Sequence, residues 1–325
     1  MHGSSPAALP TLPTMAHDPG GGAPSPGGGE GAAGDTGGTG SVPGAVRFAR
    51  YAYPPNALGY CGPADAQGFL GAAVEGADLH ALAVRAAAFT GAWPYLQLVA
   101  AANGIDDPLD GRVVDAYWVG NELLDTVPAD ALADLVHDRF AMRPGGLALP
   151  GRDDPAGAGG AGDPASGAAA AAAGCRAHHS FHVFAVYPWL GLLRRGMDGP
   201  PLTVLDRCRI RPGTVEEVGG DTAAVRSRPL VHHRGRLAFG DERLEEVRHG
   251  VEGVGLVGPL RPGDTVAMHW DWVCERLEPA RARRLDAATR HTLDVVNTLG
   301  SDARGPGAQS SGRSASRPGA RRTTR

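Results

Sequence analysis

The sequence predicts an α+β fold: a mainly α-helical N-terminal domain, then a strand-rich segment closed by a C-terminal helix. Three observations carry this. Apolar residues recur at helical spacing from Ala64 to Phe140; from Pro200, short β-branched runs alternate with Pro-Gly and Gly-Gly-Asp; and residues 279–299 return to helical spacing.

In chain order, residues 1–42 are so rich in Gly, Pro, Ala and Ser that ordering them is not offset by burial, and they are expected to be disordered. The helical domain is placed at 43–150. Pro54 and Pro55 are expected to forbid a continuous helix, and Tyr60-Cys61-Gly62-Pro63 reads as a tight turn. Phe69, Leu70, Ala73 and Val74 share one helical face. A longer helix from Asp78, a good N-cap, towards Asn103-Gly104 is expected to kink or split at Pro94. A segment opening at Pro108 carries Val113, Val114, Tyr117, Trp118, Asn121 and Leu124, and a further helix is expected from Ala129 to Phe140.

Residues 151–174 read as a low-complexity linker. Residues 175–200 are an apolar, His-containing segment, either a buried helix or two short strands, packing on the helical domain. Residues 201–299 form the strand-rich domain, with DTVAMHWDWV as a late strand and an amphipathic helix from Pro279. Residues 300–325 are a disordered basic tail.

Composition narrows the function. All 31 basic residues are Arg, which excludes Schiff-base and P-loop lysine chemistry. A net charge of −4 argues against a nucleic-acid-binding body. HExxH and the nucleophile elbow do not occur, and no nucleotide cofactor is expected. The opening residues lack a signal-peptide pattern and no apolar run is long enough to span a membrane, so the expected compartment is the cytoplasm, with Cys61, Cys175, Cys208 and Cys274 reduced.

One run of residues carries a family pattern. Cys208 is followed by Pro212-Gly213 and Val215, then by Gly220-Asp221, Ala223 and Val225. Gly263-Asp264, Val266 and His269 come later, then Glu275-Arg276-Leu277 and the closing helix. This run resembles the hydrogenase-assembly chaperones of the HypC/HupF family. The resemblance implies an OB-like barrel with a C-terminal helix, with Cys208 as a thiolate ligand and His269 as its partner. The implied cargo is iron, as a cyanide- and carbonyl-bearing fragment, or another transition metal; the implied partner is a hydrogenase large subunit or another assembly protein. A thiolate suits such a metal, and an imidazole can be a second ligand or a base. The chain departs from the pattern in three places. Cys208 is internal, Trp270-Asp271-Trp272 follows His269, and residues 229–260 are longer, with room for an extra hairpin.

A second candidate metal group is Cys175, His178 and His182, within a stretch that also holds His179. On one helix His178 and His182 share a face and Cys175 could join them, with a further ligand from Cys61 or Glu122. The alternative is that one His packs, another caps and the third is solvated. Tyr117, Trp118, Gly120 and Asn121 read as a helix crossing or a pocket floor, Asp271 as an added charge beside His269, and His232-His233 as a hairpin surface. Three functions follow: an assembly accessory protein with the barrel as carrier or docking module, a non-catalytic protein-binding barrel, or a metal-dependent enzyme using Cys175, His178 and His182.

Overall fold

A computed structural model describes residues 42–64, 66–75, 79–141, 169–197 and 199–302. The expected disorder of 1–41 and 303–325, most of the linker and the Asp78 cap lie outside the described residues.

The chain is mixed α and β, with helices first and a sheet and closing helix after. Helices α1 (Gly44–Ala57), α2 (Ala66–Glu75), α3 (Leu79–Ala87), α4 (Trp93–Ala102), α5 (Gly111–Trp118) and α6 (Ala129–Val136) make the N-terminal half. The expected long helix is divided before Pro94, which sits in the first turn of α4, and Gly104 ends that helix region at φ 62°. One expectation is corrected: Pro54 and Pro55 lie inside α1. They fall in its last turn, where proline costs helical hydrogen bonds but its fixed φ still suits the helix. A second correction concerns Gly120 and Asn121, which are not helical partners of Tyr117 and Trp118. α5 ends at Trp118, Gly120 takes φ 98°, and Asn121 caps a 3-10 turn at Glu122–Thr126.

The end of the linker is also corrected. Residues 169–172 form a helical turn with Ala170 and Ala171 buried, because alanine pays no side-chain entropy in a helix and needs little room. The His-containing segment is helical. α7 (His179–Phe181) runs into a π-helical turn (His182–Val186), and Pro188 separates it from α8 (Trp189–Arg194). The strand-like reading from Pro200 is corrected too, because α9 (Pro200–Cys208) opens with two prolines, which suit a first turn, and buries Val204, Leu205 and Cys208.

The strands follow: β1 (Arg211–Gly219), β2 (Thr222–Ser227), β3 (Leu230–His233), β4 (Arg236–Phe239), β5 (Arg243–Arg248), β6 (Gly250–Val251), β7 (Val254–Gly255), β8 (Thr265–His269) and β9 (Trp272–Arg276). The expected single late strand is a hairpin, β8–β9. Five strands close in the order β1-β2-β5-β9-β8, parallel between β5 and β9 and antiparallel elsewhere. Residues 229–260 add the hairpins β3–β4 and β6–β7. Val215, Val225, Val247, Val266, Met268 and Val273 fill the interior. Helix α10 (Pro279–Asp302) runs past β1, β4, β8 and α7.

The sheet closes tightly at Gly213. A Cβ there would lie 2.5 Å from Val225 Cγ1, 2.9 Å from Met268 Cε and 3.0 Å from the Arg226 carbonyl. Gly213→Ala is therefore expected to cost about 2 kcal/mol in urea denaturation; an unchanged midpoint would mean that the closure yields. The two halves share one core. α1 packs on β8 and β9, and Trp270, Trp272, Cys274 and Leu285 belong to the same apolar cluster as Phe48, Tyr51 and Trp118.

Candidate metal centre

Three elements deliver three donors to the seam between the halves. His178 is the N-cap of α7: its Nδ1 accepts from the Ser180 N–H at 3.1 Å and lies 2.7 Å from Ser180 Oγ. That cap fixes the start of α7 and turns His179, the next residue, inward. The His179 ring bonds the Cys208 carbonyl through Nε2 at 2.8 Å and the Tyr117 hydroxyl through Nδ1 at 3.2 Å. A carbonyl only accepts, so Nε2 carries the proton and Nδ1 holds the lone pair.

Cys208 is the last residue of α9, and His269 the last of β8. The two are tied together by the hairpin turn that follows His269. Trp270 donates its N–H to the Arg207 carbonyl at 2.7 Å, and its own carbonyl accepts from Arg211. Trp270 has φ 55°, a left-handed conformation that costs a bulky residue roughly 1–3 kcal/mol. Its ring, stacked on Tyr60 at 4.2 Å, and these two bonds hold it there.

Donor atoms of His179, Cys208 and His269 all lie within 4.8 Å of one another, and all three residues are buried. Donors this close can converge on one ion with modest adjustment, since metal–ligand bonds are about 2–2.3 Å. His269 donates Nδ1–H to the Tyr51 carbonyl at 2.7 Å, which leaves Nε2 buried with no partner in hydrogen-bonding geometry, although the Cys208 carbonyl also favours a proton on the ring. An orphaned buried acceptor beside a thiol and a second imidazole fits a soft or borderline metal ion.

Without a cation the site is neutral. Burial holds His179 down at about 4 against a resisting bond from the Cys208 carbonyl, and burial first, then His179, holds His182 down at about 3. His269 is pushed well below its ordinary value by burial and then by His179, although the Tyr51 carbonyl favours its proton. Burial, then Cys61, pushes the Cys208 thiol well above its usual range. A bound cation reverses this logic by stabilising the thiolate.

The donors line a cavity of about 10 Å³ together with Cys61, Gly91, Tyr117, Trp118, His182 and Tyr187. That is the room for one water or ion, too small for an organic substrate. His182 faces it from the helical half, with Nδ1 3.1 Å from the Tyr95 hydroxyl and Nε2 unpartnered.

A family profile, described as "Family of unknown function (DUF6390)", matches residues 40–150 and 163–303. The chain belongs to this family. No curated protein and no solved structure matches it. In this DUF6390 chain the three donors, Tyr51 and Tyr117 all fall within the matched residues.

The residues singled out from sequence separate clearly. The DUF6390 fold brings Cys208 and His269 together. It does not gather Cys175, His178 and His182: among the described residues, only His179, Cys208 and His269 form a group of three or more metal-type donors at that proximity. The reason is local, because the helix starts at His179, so His178 caps it and His182 opens a π-helical turn rather than sharing a regular face. Tyr117 is at the site through His179, and Cys61 lines the cavity. Asn121 caps a turn, Glu122 is exposed and 3.6 Å from Arg284, and Asp271 lies 3.9 Å from Arg248 at the surface. His179 was noted in the same stretch of sequence but not chosen there as a ligand. Its signal was the His-x-Ser start of a helix at His178, which marks the next residue as the inward one.

Proposed function

We propose that this chain binds a transition-metal ion through His179, Cys208 and His269 and acts as an accessory protein in metalloenzyme assembly, with [NiFe]-hydrogenase as the enzyme it serves. The observation carrying this reading is that Cys208 and His269, paired by their resemblance to HypC/HupF chaperones, converge in the fold and are joined by a second imidazole. The strand order supports it: counting only the five closed strands, the order is first, second, third, fifth, fourth, with the third and fifth parallel, as in an OB-type barrel. The thiolate and two imidazoles suit iron, cobalt or zinc. The cargo is iron, as a fragment bearing cyanide and carbonyl ligands, and the partner is a hydrogenase large subunit. Four free cysteines fit a reducing cytoplasm; among the described residues no helix is long and apolar enough to cross a membrane.

The helical half changes what a chaperone of this kind would do. Cys208 is buried, with Cys61 and Tyr117 beside it on the cavity wall, rather than presented at a free chain terminus, so delivery requires the helical half to part from it.

Purified full-length protein titrated with Co(II) tests the site. One equivalent is expected to bind with a thiolate-to-metal absorption band. Cys208→Ser is expected to abolish the band and weaken binding at least ~100-fold, since even outer-shell changes cost 10–100-fold, whereas Cys175→Ser keeps both. Unchanged binding in Cys208→Ser would sink the site. Deleting the gene without effect on hydrogenase maturation would sink the assembly role and leave the site standing.

A further inference from the structure

We infer that Pro54-Pro55 is a positioning device for His269: it strips the Tyr51 carbonyl of its helical donors so that this carbonyl can hold the imidazole with Nε2 bare. The inference rests on the metal-site reading above and assigns a second part of that site to the helical half.

In a regular helix the Tyr51 carbonyl accepts the N–H of residue 55, or in a tighter turn that of residue 54. Both are proline and neither has an N–H. α1 nevertheless continues through them to Ala57, so the carbonyl stays in helical orientation with no donor from its own helix. Tyr51 is fully buried, and a buried carbonyl without a partner is strongly disfavoured. Its partner is the Nδ1–H of His269, at 2.7 Å and 218 residues away.

The carbonyl can only accept, so the bond selects one tautomer. Nδ1 carries the proton and Nε2 keeps its lone pair, the form that ligates a metal. Backbone carbonyls that accept from the far ring nitrogen do this for many metal-bound histidines. Here the carbonyl is made available by the absence of two backbone donors rather than by a loop. Tyr51 is itself held: its hydroxyl donates to Glu275 at 3.1 Å and its ring stacks on Trp118 at 5.3 Å.

The experiment compares full-length wild type, Pro55→Ala and Pro54→Ala. Pro55→Ala returns an N–H aimed at Tyr51, whereas Pro54→Ala returns one aimed at Arg50, with a similar change in chain stiffness. In metal-free protein labelled with ¹⁵N-histidine, two-bond nitrogen–proton correlations read the His269 tautomer; Co(II) titration reads affinity. Wild type is expected to be all Nδ1–H. Pro55→Ala is expected to populate the Nε2–H form and weaken Co(II) about tenfold, and Pro54→Ala to leave both near wild type.

An Nε2–H tautomer in wild type, an unchanged Pro55→Ala, or equal losses in both variants would overturn the inference. Should Pro55→Ala not fold, the wild-type tautomer alone still decides. An Nδ1–H tautomer with no Co(II) binding would instead count against the metal site.

Discussion

Metal-free protein is expected to lose stability steeply as the pH falls from 6.5 towards 4. His178, His179 and His182 titrate near 6.5 when unfolded, but in the fold they are held down at about 3, 4 and 3. Burial is the main cause for each. Between those values the unfolded chain binds more protons, so stability present above pH 6.5 drains away as acid is added. At pH 5 each neutral imidazole costs about 2 kcal/mol, so the three together cost about 6 kcal/mol, against a typical total of 5–15 kcal/mol. His269, also held down mainly by burial, acts in the same direction. Urea midpoints at pH 7.5 and pH 5 measure this, and equal midpoints would show that the rings are solvated. Bound metal steepens the dependence, because protons then compete for the same nitrogens.

The second large effect is expected at Glu275. This buried carboxylate lies 3.1 Å from Arg47, 2.9 Å from Arg281 and 3.1 Å from the Tyr51 hydroxyl, and Arg281 also pairs with Asp115. Although burial alone would raise it, bonds and charges from Arg281, Arg47 and Tyr51 hold its carboxyl below the usual range. Glu275→Ala would leave two guanidinium groups short of charge in a site they cannot leave. Breaking such a pair costs about 3–5 kcal/mol, whereas the exposed pair of Glu216 with Arg226 should yield under about 1 kcal/mol in Glu216→Ala. Similar losses in both variants would show that the network is not buried in solution. Glu275 binds α1 and the closing helix to β9, so its loss should also loosen Tyr51 and, through it, His269.

Much of the fold was legible because its signals are local. The division at Pro94, the helix from Ala129 and the His232-His233 hairpin all follow from proline placement, periodicity and a turn that seats Arg234 and Gly235 at positive φ. Errors came where tertiary packing overrode a local rule. Pro54-Pro55 reads as a break, yet packing against β8 and β9 carries α1 through it. Residues 200–208 contain Val and Thr and read as strand, but a Pro-Pro first turn and a buried face make them helix. At the site, Cys208 and His269 were singled out only through a resemblance in spacing, and His179 was hidden by a one-residue question: where α7 begins. A cap at His178 and a helical face shared with His182 are incompatible readings of the same segment, and sequence periodicity does not choose between them.

The bond from His269 to Tyr51 spans 218 residues, and that from Arg47 to Glu275 spans 228. During synthesis α1 can pack at once on α2, α3 and α5, but the part of its face that meets β8 and β9 stays uncovered until those strands have been made. The N-terminal helices must wait with part of their core surface uncovered, a state open to aggregation and to capture by holding chaperones. Loop closure over such a span is also slow compared with helix formation. The His179, Cys208 and His269 cluster is therefore a late product of folding, completed only when the last strands arrive, and the proposed cation would have to enter after synthesis.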